Sequence, residues 1–148
     1  MKLGNYEMTQ VRTGIWRGAR PASADIKAIA EQGVKYILNL EDPQPGEQAE
    51  AERLGIRFVS YPWGEILPPT FEQLRVAGYD CRNFAAQGML IHCTHGVDRT
   101  GAAVFADRVE NSRWTFEKAY QEMLDVGHHV FFYWWWRARL RDYWRSVQ

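Results

Sequence analysis

The stretch Met89-Leu90-Ile91-His92-Cys93-Thr94-His95-Gly96-Val97-Asp98-Arg99-Thr100-Gly101 changes character twice within a few residues. Met89–Cys93 is a short apolar run, which reads as a strand buried on both faces. Thr94–Arg99 is polar and holds Gly96, the composition of a tight turn. From Thr100 to Val109 the residues Ala102, Ala103, Phe105 and Ala106 suit the packed face of a helix. A strand that passes through a turn into a helix is the repeating unit of α/β sheets, and ligands collect at the carboxyl ends of such strands. Cys93 stands at one of those ends.

Outward from this unit the alternation repeats. Ile15-Trp16-Arg17 is a short strand ending at Gly18, and Ser23 or Asp25 caps a helix that runs through Glu31 and stops at Gly33. Val34–Leu40 is the next strand, apolar with β-branched and aromatic members. Glu41–Gly46 carries two prolines and breaks regular structure, a short helix follows over Glu47–Leu54, and Ile56–Tyr61 reads as a strand. Pro62–Pro69 is a proline-rich loop. Phe71, Leu74, Ala77 and Phe84 fit a helix over Thr70–Gln87, stopped by Gly88. Beyond the central unit come helices over Thr115–Val126 and about Val130–Val147, while residues 1–14 are polar and at most partly extended. Together these elements predict an α/β fold in one domain, residues 1–148. Its central sheet is largely parallel, has four to five strands, and is flanked by helices on both faces.

The loop after Cys93 has the chemistry of an anion cradle. Wrapped between a strand and a helix N-terminus, the backbone N–H groups of Thr94, His95, Gly96, Val97, Asp98 and Arg99 can converge on a phosphate, aided by the helix dipole. Gly96 and Gly101 allow positive φ and close backbone approach. Arg99 can add a planar fork to two phosphate oxygens. The same donors favour a thiolate at Cys93, which can then attack phosphorus. Thr100 can donate its hydroxyl to that sulfur, and the His92 ring can bond nearby backbone and tighten the loop.

His92-Cys93, Gly96 and Arg99-Thr100-Gly101 together resemble the signature HC-x5-R-[ST] of the protein tyrosine phosphatase superfamily, and the short chain is most similar to its atypical dual-specificity branch. Ile15-Trp16-Arg17-Gly18-Ala19-Arg20-Pro21 and Gly33–Leu40 resemble the branch's opening strand, helix and second strand. The resemblance covers roughly residues 11–145. It implies a two-step hydrolysis through phosphocysteine that needs neither metal nor cofactor. Members of the superfamily usually carry a general-acid Asp on a mobile loop, often within Trp-Pro-Asp. The matching segment here is Tyr61-Pro62-Trp63-Gly64-Glu65, which makes Glu65 one candidate acid. Asp98 is the other, because myotubularin-type lipid phosphatases carry an Asp at that place.

The implied substrates are phosphotyrosine or phosphoserine/threonine proteins, or inositol polyphosphates. Two alternatives remain at this level: an RNA 5′-triphosphatase, whose loop is similar and whose anhydride substrate needs little acid help, and a non-catalytic phosphate-binding module. A rhodanese-like sulfur carrier usually has a loop one residue shorter. The formal net charge of zero argues against a general polyanion binder, so a nucleic-acid partner is not expected. The charge is skewed toward arginine, and Arg17 and Arg20 either border the pocket, where they could take further phosphates, or are surface charges.

Two cysteines are no disulfide framework, and Cys81 reads as a structural thiol. With no secretion signal and no membrane span readable, a cytoplasmic location is expected. His92, Cys93 and His95 lack the second cluster a metal site needs. His128-His129 is read as a helix junction without functional use. In the aromatic run after it, Phe132, Trp136, Leu140, Tyr143 and Val147 line one helix face for core packing, with interfacial membrane docking or dimerisation through the leftover tryptophans as the alternative use. Oligomeric state is not readable.

Overall fold

The computed structural model describes residues 1–131 and 133–148. Among these residues six strands form one sheet: β1 (Lys2–Leu3), β2 (Tyr6–Arg12), β3 (Ile15–Gly18), β4 (Tyr36–Asn39), β5 (Arg57–Ser60) and β6 (Met89–His92), in the order β1-β2-β3-β6-β4-β5. The four strands β3, β6, β4 and β5 are parallel, while β1, β2 and β3 pair antiparallel. The α/β class is as the alternation predicts. The two additional strands lie in residues 1–14, where alternation of buried Tyr6 and Met8 with exposed Glu7 and Thr9 marks an edge hairpin that overall polarity conceals.

The central strands show why they read as continuous apolar runs. On β6, Met89 and Ile91 face one core while Leu90 faces the other; on β4, Tyr36 and Leu38 oppose Ile37 in the same way. One face is covered by α1 (Ile26–Glu31) and α2 (Pro45–Arg53), through Ile26, Ile29 and Ala51. The other is covered by α3 (Phe71–Phe84), α4 (Asp98–Asn111), α5 (Phe116–Val126) and α6 (Trp134–Ser146). Burial on both faces is what a parallel sheet requires.

Several boundaries differ from the sequence reading, each for a local reason. The helix α2 begins at Pro45, inside the segment expected to be irregular. Proline at the first helical position gives up an N–H that has no intrahelical partner there. The helix α4 begins at Asp98, so Asp98 and Arg99 belong to its first turn rather than to the loop. Gly101 is therefore helical, and only Gly96 of the pair has positive φ. The last helix starts at Trp134, and Trp136, Leu140 and Tyr143 are fully buried along it; the expected position Phe132 lies outside the described residues. Trp135 and Trp144 are partly covered by the core, whereas Trp134 is exposed. Neither Ser23 nor Asp25 caps α1 through its side chain, since Ser23–Asp25 forms a 3-10 turn ahead of it, whereas Thr70, which caps α3 in a reciprocal pair with Gln73, and Thr115, which caps α5, stand where the expected helices begin.

Candidate active site

The carboxyl end of β6 delivers Cys93 to the floor of a cleft of about 240 Å³, lined by Glu65, Cys93, His95, Asp98, Arg99, His129 and Tyr133. The thiol is nearly buried, and Thr100 Oγ1 donates to its Sγ at 3.1 Å. Both groups are set by the same turn: Thr100 lies in the first turn of α4, directly after the loop that follows Cys93. The N–H groups of Thr94, His95, Gly96 and Val97 meet no acceptor among the described residues. Four successive free donors at the mouth of a helix N-terminus form an electropositive concavity.

Gly96 holds this loop against the sheet. Its φ is +73°, and a Cβ there would come within 2.5 Å of the carbonyl of Gly18 at the end of β3. From the same strand, Arg17 reaches under the loop and donates to the Gly96 carbonyl at 3.0 Å. Arg17 is 6% exposed, so it braces the loop from beneath and does not border the pocket. Arg20 is ion-paired with Glu41. Arg17 therefore takes neither of the two roles open to it in the sequence, whereas Arg20 is an exposed charge tied to Glu41, which is the surface reading.

Arg99 is also largely buried. Its Nη1 donates to the carbonyls of Trp63 (3.3 Å) and Leu40 (3.4 Å), which leaves Nη2 to reach Thr94 Oγ1 at 3.0 Å and Glu65 Oε1 at 3.5 Å. One edge of the guanidinium is thus anchored in protein and the other faces the cleft. Glu65 is the most exposed of these partners, with 71% of its side chain open to solvent. His95 is exposed at the loop crest, and Val97 precedes the first helical residue. Behind the floor, the buried His92 ring bonds Glu47 Oε2 through Nε2 at 2.5 Å, with a longer 3.4 Å contact from Nδ1 to the Cys93 carbonyl. Its main partner is therefore a carboxylate on α2 rather than the backbone. Glu47 was not singled out in the sequence, where it looks like any acidic residue of an exposed helix. Cys81 is buried in α3, and burial pushes its thiol well up.

Asp98 lines the same cleft, but both of its carboxylate oxygens are taken by the turn that follows α5. His128 Nδ1 and the His129 backbone N–H donate to Oδ1 at 2.6 and 3.0 Å, and His129 Nδ1 donates to Oδ2 at 2.7 Å. Burial alone would raise the carboxyl pKa, but the hydrogen bonds from His128 and His129 outweigh it and hold Asp98 at about 2. A carboxyl depressed below its unfolded value of about 3.9 contributes stability that is present above that value and lost as pH falls through the folded one. With screening, the contribution is about 1 kcal/mol. Asp98→Asn is therefore expected to melt below the wild type at pH 7, with the gap closing between about pH 4 and pH 2; a gap independent of pH would show that the charge is not what holds the junction.

Among the described residues no group of three His, Cys, Asp or Glu side chains is arranged to hold a metal ion, and no helix is long and apolar enough to cross a membrane. The Nδ1 atoms of His128 and His129 are both committed to Asp98.

The family model for a DSP-PTPase phosphatase fused to NAD+ kinase matches residues 2–128. The dual specificity protein phosphatase 12 of Mus musculus is 30% identical over 122 residues, 79% of this chain and 35% of that protein, so the chain spans about a third of the length of the curated relatives it matches. Among solved structures, the active form of Tk-PTP superposes with a TM-score of 0.82 at 16% identity, covering 95% of this chain and 97% of that one. The core catalytic domain of the PP-IP phosphatase SIW14 from S. cerevisiae does so with a TM-score of 0.76 at 21% identity, covering 95% and 85%.

Proposed function

Because the chain belongs to the family of DSP-PTPase phosphatases described as fused to NAD+ kinase, we propose that it hydrolyses phosphomonoesters through a phosphocysteine on Cys93, as a single catalytic domain over residues 1–148. The observation that carries this reading is the pairing of the Thr100 hydroxyl with the Cys93 sulfur at 3.1 Å, in a cleft that also presents one edge of Arg99. The sulfur attacks phosphorus, and the phosphate is held by the N–H groups of residues 94–99, from the loop and the first turn of α4, and by the free edge of the guanidinium. Thr100 stabilises the sulfur as it leaves in the second step. Glu65 occupies the Arg99 edge at the cleft mouth, where an incoming phosphate competes with it for the same donors.

The charge of the cleft speaks to the substrate. Its lining includes one guanidinium and two carboxylates, Glu65 and Asp98, and the nearby arginines 17 and 20 are committed elsewhere. That balance suits one phosphate dianion, as on phosphotyrosine, phosphoserine/threonine or a single position of an inositol phosphate. It suits a 5′-triphosphate poorly, since the further phosphates would meet no matching cations among these residues. Phosphate release is the decisive measurement, compared by kcat/KM across phosphopeptides, inositol polyphosphates, a nicotinamide dinucleotide phosphate (the family's phosphatase being joined to NAD+ kinase) and 5′-triphosphorylated RNA. Preference for a monoester is expected. Preference for the RNA would replace this reading with a triphosphatase, and inactivity on every substrate would leave a phosphate-binding module.

A further inference from the structure

Gly127 ends α5 in the left-handed region, at φ +113°, and turns the chain back over the start of α4. The two histidines that follow take different positions. His128 is buried, edge-on to Tyr120 and packed against Tyr133 and Trp136, and anchors the turn. His129 has 54% of its side chain exposed and lines the cleft that holds Cys93 and Arg99. With Nδ1 donating to the Asp98 carboxylate, its other nitrogen, Nε2, is the one free to exchange a proton with a ligand. A carboxylate that fixes the tautomer and tilt of an imidazole beside a nucleophile is the arrangement of a proton-transfer pair.

We propose that His129, oriented by Asp98, is the catalytic residue that moves the proton in this cleft. The proposal rests on Cys93 as nucleophile. In the first step the Cys93–phosphorus bond forms, the phosphorus–oxygen bond to the leaving group breaks, and the leaving oxygen takes the proton from His129 Nε2. In the second, water attacks phosphorus and gives a proton to Nε2, the phosphorus–sulfur bond breaks, and the electron pair returns to sulfur beside the Thr100 hydroxyl. The imidazole ends as it began. Glu65 fits the task less well, because it extends into solvent and contacts the Arg99 edge that phosphate occupies. The charged and titratable groups around His129 are Asp98 and Arg99 of α4, Cys93 and His95 of the loop, His128 on the same carboxylate, Glu65 before α3, and Tyr133 before α6.

The test compares the full chain with His129→Gln, Glu65→Gln and Asp98→Asn on propyl phosphate, whose alkoxide needs a proton to leave, and on p-nitrophenyl phosphate, whose phenoxide barely does. For His129→Gln, kcat/KM on the propyl ester is expected to fall by roughly 10²–10³-fold, and on the nitrophenyl ester by less than about tenfold. The alkaline limb of the propyl ester's pH profile should vanish with it. Slow hydrolysis of the phosphoenzyme should appear as a burst of nitrophenol. Asp98 is a positioning residue, so Asp98→Asn should show the same leaving-group bias at smaller amplitude. Inorganic phosphate should bind His129→Gln as it binds the wild type, which separates lost chemistry from a lost fold. Equal losses on both esters, or a leaving-group gap in Glu65→Gln and none in His129→Gln, would overturn the proposal while leaving the Cys93 reading intact. Undiminished turnover in Cys93→Ser would remove that reading itself.

Discussion

Cys93→Ser is expected to lower kcat on the order of 10⁴-fold or more on every substrate, while inorganic phosphate still binds with an affinity near that of the wild type. The reason lies in which groups the change touches. A serine hydroxyl at this position keeps the size of the side chain, and Thr100 still has an acceptor within reach of its present 3.1 Å. The loop N–H groups and Arg99 are unaltered, so the cradle remains. On the proposed mechanism, what is lost is the sulfur that attacks phosphorus and departs readily from it in the second step. Single-turnover phosphate release with isothermal titration of phosphate checks both halves. Turnover above a trace would remove Cys93 from the mechanism, and loss of binding together with activity would mean that the sulfur organises the loop.

Arg99→Lys is expected to reduce kcat/KM by roughly 10²–10³-fold, despite keeping the charge. The arginine here does two jobs along opposite edges of one plane. Nη1 is tied to the Trp63 and Leu40 carbonyls, and Nη2 faces Thr94 and the cleft. A lysine ammonium is a point donor on a flexible stem and cannot hold both edges at fixed spacing. The loss should fall on kcat and on phosphate affinity together, because the anchored geometry serves ground state and transition state alike. Activity within tenfold of wild type would mean that charge alone suffices.

The difference between what could and could not be read in the chain follows sequence distance. Cys93, Thr100 and Arg99 lie on one turn, so their spacing carries their geometry, and the strand–loop–helix reading around them needed no knowledge of the rest. The starts of α3 and α5 at Thr70 and Thr115 were legible for the same reason. The Asp98 contacts to His128 and His129 cross thirty residues, and two adjacent histidines at a helix end give no local sign of the carboxylate they will meet. Glu47 under His92 is a similar case, joining α2 to β6 across the sheet. Arg17 was misread because a charged residue on a short strand looks exposed until a loop is laid over it. The edge hairpin was concealed by composition, since a strand with one solvated face is rich in polar residues.

The position of β6 has a consequence for how the protein is made. It lies between β3 and β4, in parallel register with both, so Met89 pairs with Ile15 on one side and with Tyr36 on the other. These contacts close long loops, whose entropy must be overcome before they stabilise anything, and topologies of this kind fold slowly. The Cys93 loop hangs from the end of that strand and leans on Gly18 at the end of β3. It can therefore acquire its shape only after the chain's distant thirds have met. The cleft is thus a late product of assembly, and a nascent chain still emerging from the ribosome carries its residues before anything has brought them together.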